Sequence, residues 1–136
     1  MAELQSSEDF QRALREAENY CWAANVAIIA PEHLLAGALK VLAAAGVPGL
    51  PSPATLDAAL LELQGSSDDE LSQQVMFGSA ARAAINQTAG EARRAGREIL
   101  TAATLARGVI ESGELMPNAF AAFGTTRTAL LATLPT

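Results

Sequence analysis

A chain of 136 residues, half of them hydrophobic, is long enough for one domain with a sizeable core. Its net charge of −6 argues against a nucleic-acid partner, which would favour a basic face. The single cysteine, Cys21, excludes a disulfide framework and indicates a reducing compartment. The polar, acidic start is not typical of a signal peptide, and apolar runs of about 18 residues are absent. We therefore expect a cytoplasmic protein that does not span or bind a membrane.

One pattern of apolar and small residues occurs twice, 71 positions apart. The matched pairs include Leu14 and Ile85, Ile28 and Ile99, Leu34 and Leu105, Gly37 and Gly108, and Leu60 and Leu131. Such a duplication indicates that one small unit packs against its own copy. The many alanines and few aromatic residues favour helices over a β-sandwich. We therefore expect an all-α fold of two pseudo-symmetric four-helix repeats, with about eight helices in one domain.

The first repeat, about 6–64, carries clear signals for the starts of helices. We expect helices at about 7–25, 31–46 and 52–63, with N-terminal signals at Ser6 or Ser7, Pro31 and Ser52. Apolar residues recur in them at three- and four-residue spacing. Three prolines between positions 47 and 53 exclude regular helix there, so a loop is expected.

A polar linker, about 65–77, separates this unit from the second repeat, about 78–135. Helices are expected at about 79–96, 101–113, 118–123 and 125–134, with Ser79, Thr101 and Thr125 as N-caps. The short helix at 118–123 takes the place that the proline-rich loop has in the first repeat. Arg93, Arg94 and Arg97 are interpreted as the solvated end of a helix.

The chain shows no residue pattern typical of catalysis, a metal or a cofactor. Glu32 and His33 could form an acid–base pair. In the first turn of a helix, however, an acid complements the dipole and histidine can hydrogen-bond the nearby backbone. No second histidine or cysteine lies at ligand spacing, and no phosphate-binding loop is present. We therefore predict that the protein is not an enzyme, and we interpret Cys21 as a buried small hydrophobe.

The two repeats resemble a known family. The segments Phe10-Gln-Arg-Ala-Leu-Arg-Glu-Ala and Ile29-Ala-Pro-Glu-His-Leu-Leu-Ala-Gly-Ala-Leu are similar to the first repeat of the Clp ATPase N-terminal domain. The segment Phe77-Gly-Ser-Ala-Ala-Arg-Ala-Ala-Ile is similar to the start of the second. That domain heads the ClpA, ClpB and ClpC unfoldases. The resemblance implies a double four-helix repeat that recognises substrates or adaptor proteins for the Clp chaperone–protease system.

The resemblance also implies binding residues. In ClpC-like members the acid before the histidine can receive an arginine-like group; Glu32 matches it, and Ser7 stands near it where a threonine is usual. In ClpB-like members leucines form a groove for unfolded segments, and the matching positions here are Gln87, Glu91 and Thr104. Because these three are polar, we expect a polar or basic partner, or a dedicated adaptor. Phe77 is interpreted either as an interface anchor or as a hydrophobic staple.

Two functions remain open from the sequence. The chain either delivers substrates to Clp components or acts as a stand-alone regulatory subunit or decoy that occupies the same partners. It is either an ATPase-free protein or the leading part of a longer one. We expect a monomer in isolation, with peptide affinities in the micromolar range or weaker because a small groove buries little surface.

Overall fold

The computed structural model describes residues 5–66 and 75–135, and its regular secondary structure is helical apart from four short strands. The helices are α1 (Glu8–Ala24), α2 (Pro31–Ala44), α3 (Pro53–Gln64), α4 (Ser79–Arg94), α5 (Ala102–Glu111), α6 (Ala119–Ala122) and α7 (Arg127–Thr133). The strands are β1 (Gln5–Ser6), β2 (Ile28–Ile29), β3 (Met76–Phe77) and β4 (Ile99–Leu100). The all-α expectation is confirmed, with seven helices in the described ranges rather than about eight. The first repeat has three because its proline-rich segment forms no helix.

Most helix boundaries follow the local signals in the sequence. The Ser7 hydroxyl accepts a hydrogen bond from the Phe10 N–H at 3.2 Å and caps α1. Asn25 ends α1 in the left-handed conformation at φ 56°. Pro31 occupies the first turn of α2, and Ser52 caps α3. These boundaries are as predicted because they depend on neighbours within a few residues.

Two predicted caps are wrong by one residue. Gly78, not Ser79, precedes α4, because its N–H bonds to the Ile29 carbonyl at 3.0 Å and holds it extended beside β2. Thr126, not Thr125, caps α7, because the Thr125 N–H bonds to the Phe120 carbonyl and closes the turn after α6.

The strands join the two repeats reciprocally. Strand β1 pairs in parallel with β4, and β2 pairs in parallel with β3. The Gln5 N–H donates to the Glu98 carbonyl at 3.0 Å, and the Met76 N–H donates to the Ala27 carbonyl at 2.9 Å. Each donor and acceptor of the first bond lies 71 positions from its counterpart in the second. The duplication in the sequence is therefore present in the backbone as a pseudo-two-fold relation. The strands follow the same relation, although the sequence pattern did not predict them.

The core lies between α2 and α5, one helix from each repeat. Helix α2 packs against α1 on one side and α5 on the other, and α5 packs against α4. Leu34, Leu39 and Leu105 are fully buried there. Cys21 is buried as expected, and burial raises the pKa of its thiol to about 12, which makes it a poor nucleophile.

Two glycines allow the helices of each repeat to approach closely. A Cβ on Gly37 would overlap the Ala13 carbonyl oxygen and lie 3.0 Å from the Ala17 amide nitrogen. A Cβ on Gly108 would lie 2.7 Å from the Thr88 Cα. Because these glycines lie 71 positions apart, the same contact fixes α1 against α2 and α4 against α5.

Most of the predicted linker falls at 67–74, outside the described residues. Within 5–66 and 75–135, no helix is both long enough and apolar enough to cross a membrane.

Candidate functional site

The predicted acidic site residue, Glu32, is buried in the first turn of α2. Its side chain is 1% exposed, and its Oε1 accepts a hydrogen bond from the Gln64 Nε2 at 2.8 Å. Its Oε2 has no hydrogen-bond partner within the part of the chain that the structure describes. Burial raises the pKa of Glu32, and hydrogen bonds from its own backbone, Gln64 and the Met116 backbone oppose that effect. Glu32 therefore links α2 to the end of α3 rather than facing solvent.

His33 is also buried, and it caps its own helix. Its Nδ1 accepts the Ala30 N–H at 2.9 Å, as expected for a histidine in a first turn. Burial lowers its pKa to about 4, so at neutral pH the ring is uncharged and Nε2 carries the proton. The hydrogen bonds of Glu32 and His33 go to different partners, so the two side chains do not form an acid–base pair.

Ser7 and Phe77 are both engaged in secondary structure, Ser7 as a helix cap and Phe77 in a strand pair. The Ser7 hydroxyl accepts the Phe10 N–H and donates to the Asp9 carboxylate. Phe77 belongs to β3 and packs, half-buried, against the core. The fourth helical position of α4 is the exposed Arg82, so the strand rather than a hydrophobic staple fixes Phe77.

Two of the remaining predicted residues, Glu91 and Thr104, line a cleft between α4 and α5, called here the α4–α5 cleft. It has a volume of about 380 Å³. It is lined by Asp9, Leu42, Glu91, Ala92, Ala95, Arg97, Thr101, Ala103, Thr104, Arg107, Gly108, Glu111 and Pro135. Gln87 lies one turn before Glu91 and donates to its Oε1 at 3.0 Å. The structure therefore brings Gln87, Glu91 and Thr104 together, while Ser7, Glu32 and Phe77 do not line this cleft.

Two arginines of the α4–α5 cleft were not predicted as site residues. Arg97 was interpreted as part of a solvated helix end, and Arg107 received no interpretation. Both line the cleft, and neither makes an ion pair with any residue in 5–66 or 75–135. Spacing could have identified Arg107, because it lies three residues after Thr104 and therefore on the same helical face.

A second cavity, called here the α1–α3 cavity, lies in the first repeat and measures about 290 Å³. It is lined by Tyr20, Ala23, Ala24, His33, Asp57, Leu60, Leu61, Gly65 and Ser66. Three of these, Tyr20, Ala24 and His33, lie 71 positions before Glu91, Ala95 and Thr104 of the α4–α5 cleft. The two openings therefore occupy equivalent positions in the two repeats.

The chemistry of the α1–α3 cavity is different from that of its counterpart. Among the described residues, no lysine or arginine lines it. The Tyr20 hydroxyl is buried without a hydrogen-bond partner in the described residues, and its ring lies 5.5 Å below the Lys40 ammonium. Burial, with Asp57 and Glu16 nearby, raises the pKa of Tyr20 to about 12, so the phenol stays neutral.

Comparison with known proteins identifies the fold. No protein-family model and no curated protein sequence matches the chain. Among solved structures, the chain is similar to the crystal structure of the N-terminal domain of the caseinolytic protease associated chaperone ClpD from Arabidopsis thaliana. The TM-score is 0.68 at 11% sequence identity, over 95% of this chain and 91% of that chain. The family resemblance of the sequence thus agrees with the structure at the level of the backbone, and the chain has the fold of a Clp N-terminal domain.

Proposed function

We propose that this chain is a protein-binding module of the Clp chaperone–protease system that recognises substrates or adaptor proteins and carries out no catalysis. The observation that supports it most is the fold, which is shared over 95% of the chain with the N-terminal domain of a protease-associated chaperone. We propose that the module acts as a monomer in the cytoplasm, with repeats at about 6–64 and 78–135.

We assign binding to the α4–α5 cleft. It is open to solvent and is lined by groups that can hydrogen-bond a polypeptide, including Glu91 and Thr104. Gln87 and Arg94 both donate hydrogen bonds to Glu91, and these polar groups make the rim of the cleft polar. A polar rim of this kind selects polar segments over purely apolar ones, because an apolar partner would leave these groups without hydrogen bonds.

The contacts of Ser7, Glu32 and Phe77 support structural roles. A ligand for Glu32 would have to displace Gln64 and open the contact between α2 and α3. We therefore propose that recognition takes place in the second repeat.

A binding experiment with two matched variants tests this function. The purified chain is titrated by surface plasmon resonance against Clp ATPase and protease components and against a permanently unfolded polypeptide. Ala95 is exposed and lines the cleft, whereas Ala58 is exposed on α3 and does not line it. We expect micromolar binding that Ala95→Trp weakens about tenfold and Ala58→Trp leaves unchanged, since a bulky ring at position 95 occludes the cleft.

The effect on proteolysis separates delivery from decoy action. When added to an active Clp protease, a recognition module stimulates degradation of its clients, whereas a decoy only inhibits it. Absence of binding to every Clp component and to the unfolded polypeptide at about 100 µM would overturn the proposed function.

A further inference from the structure

The α1–α3 cavity is lined by two hydrogen-bond donors for which the described residues provide no acceptor. Tyr20 and His33 both line it, and the Tyr20 hydroxyl is buried without a hydrogen-bond partner. His33 is 2% exposed, and because its Nδ1 accepts the Ala30 N–H, the N–H that remains for a ligand is that of Nε2. Since an unsatisfied buried donor costs free energy, these groups favour a ligand that carries a hydrogen-bond acceptor.

The equivalent polar groups of the second repeat do have partners. Tyr20 and His33 correspond to Glu91 and Thr104, which lie 71 positions later in the chain. The Glu91 carboxylate accepts a hydrogen bond from Gln87 at 3.0 Å, and the Thr104 hydroxyl lies 2.9 Å from a second threonine hydroxyl. The unpaired donors are therefore a property of the first repeat and not of the shared fold.

The charge on the lining of the α1–α3 cavity is negative. Asp57, which is exposed on α3, is the charged group among the described lining residues, because His33 is neutral at pH 7. The Lys40 ammonium lies over the Tyr20 ring, but it pairs with Glu16 at 2.9 Å and does not line the cavity. Asp57 therefore offers a hydrogen-bond acceptor to a ligand and repels an anion.

Apolar side chains form most of the remaining wall. Leu60 and Leu61 come from α3, and Ala23 and Ala24 come from α1. Leu61 is 58% exposed, so its apolar surface is accessible to a ligand. The volume of about 290 Å³ admits a group of the size of one amino-acid side chain. A ligand that combines a short apolar stem with a polar end fits these walls.

Hydrogen-bond complementarity decides the nature of that polar end. A carboxylate could accept from His33, but Asp57 would repel it, and the described lining residues include no cation to offset that repulsion. An ammonium group has no lone pair for the Nε2–H of His33, and a purely apolar group would leave both donors unsatisfied. A primary carboxamide is neutral and carries both an acceptor oxygen and a donor NH₂ group.

We infer that the α1–α3 cavity binds the carboxamide side chain of a glutamine or asparagine residue in a polypeptide. The amide oxygen accepts hydrogen bonds from His33 and Tyr20, and the amide NH₂ group donates to Asp57. The methylene groups of the ligand contact Leu60 and Leu61. The inference rests on the proposed function for the polypeptide source of the amide, and it adds a site in the first repeat to the α4–α5 cleft.

Four small ligands with the same backbone test the inference with the full chain. They are the N-acetyl, N-methylamide derivatives of glutamine, glutamate, methionine and lysine, so all four carry the same backbone amides. Because the chain has one histidine and one tyrosine, the ring signals of His33 and Tyr20 in NMR spectra report on the cavity directly. We expect the glutamine derivative to shift these signals with a dissociation constant in the millimolar range, about tenfold tighter than the other three.

Matched variants locate the interaction. Asp57→Ala should weaken binding of the glutamine derivative about fivefold, whereas Glu62→Ala should leave it unchanged, because Glu62 is exposed on α3 and does not line the cavity. Asp57→Asn removes the charge that repels the glutamate derivative and should narrow the preference for glutamine. Tyr20→Phe removes only the hydroxyl and should weaken binding about threefold. Far-UV circular dichroism verifies that each variant is folded.

The outcomes that overturn this inference differ from those that overturn the proposed function. Equal affinity for the glutamine and methionine derivatives would show recognition of backbone amides or of apolar surface, and tighter binding of the lysine derivative would assign the cavity to a cation. Free glutamine that binds more tightly than its blocked derivative would identify a free amino acid as the ligand. Each of these results, or unshifted ring signals at about 50 mM ligand, overturns the inference, while binding to Clp components is measured separately.

Discussion

Glu32 and His33 are adjacent in the first turn of α2, both are nearly inaccessible, and burial displaces their pKa values in opposite directions. The pKa of Glu32 is raised, and that of His33 is lowered to about 4. In both cases the protein interior favours the neutral form, because neither side chain makes an ion pair with any residue that the structure describes. The hydrogen bonds of the two side chains go instead to the start of α2, for His33, and to the end of α3, for Glu32.

These shifts predict two opposing pH dependences of stability. Below about pH 6.5 the unfolded chain protonates His33 and the folded chain does not, so the free energy of unfolding falls by roughly 3 kcal/mol towards pH 4. Above about pH 4.3 the unfolded chain ionises Glu32 more readily than the folded chain, so stability falls as the pH rises towards the raised pKa. Urea unfolding between about pH 4.5 and 8 measures both.

Two neutral variants isolate the contributions. His33→Gln keeps an acceptor for the Ala30 N–H and should flatten the acid side of the stability profile. Glu32→Gln should be more stable than the wild type at pH 7, by about 1 kcal/mol, with a difference that vanishes towards acid pH. If the free energy of unfolding of both variants depended on pH as it does in the wild type, the assignment of these pKa shifts to the burial of Glu32 and His33 would be contradicted.

Site residues were predictable only where side chains act locally. The capping role of Ser7 follows from its position before a helical stripe, and the first-turn role of His33 follows in the same way. The burial of Glu32 depends on Gln64, which lies 32 residues away. No periodicity in α2 indicates that contact, so the sequence could not separate a ligand-binding acid from a buried one.

At the scale of elements, helix crossings depend on glycines at equivalent positions. Gly37 and Gly108 each remove a Cβ at the point where two helices are closest. Gly90, in α4, differs from them because, beyond its chain neighbours and its own turn of helix, no atom of the described residues lies within 4 Å of a Cβ placed there.

Three alanine substitutions test these crossings. Gly37→Ala and Gly108→Ala should each lower the free energy of unfolding by about 1–3 kcal/mol, because the added methyl group forces the helices apart. Gly90→Ala should raise it by about 0.5–1 kcal/mol, since alanine in an open helix position reduces the entropy of the unfolded chain. Chemical unfolding of all three measures the difference; a loss of stability in Gly90→Ala equal to that in the other two would show that packing is not the cause.

The helices were predictable from the sequence, whereas the strands were not. Pro31 and Ser52 are residue types that favour the start of a helix at those positions, so these two starts could be predicted. The strands are two residues long, too short for an alternating pattern, and their partners lie in the other repeat. The wrong cap at Ser79 has the same origin, because the bond between Gly78 and Ile29 crosses between repeats.

At the scale of the whole molecule, the two repeats are connected by reciprocal strands and by the packing of α2 against α5. Neither repeat keeps these contacts if the other unfolds. We therefore expect a single cooperative transition for the whole chain.

Probes in different repeats measure this cooperativity. Trp22, the single tryptophan, lies in the first repeat, and its fluorescence should follow the same urea transition as far-UV circular dichroism. Trp22→Phe combined with Phe120→Trp moves the probe to the second repeat and should give the same midpoint. Midpoints that differ between the two proteins, with a biphasic dichroism curve, would indicate repeats that unfold independently.

The duplication also bears on how specificity can change. In a symmetric pair of identical chains, any substitution appears at both equivalent clefts at once. Here both units belong to one polypeptide, so a change at Arg107 leaves Ala36 as it is. The shared scaffold can therefore hold one opening constant for stability while the other is retuned for a new partner.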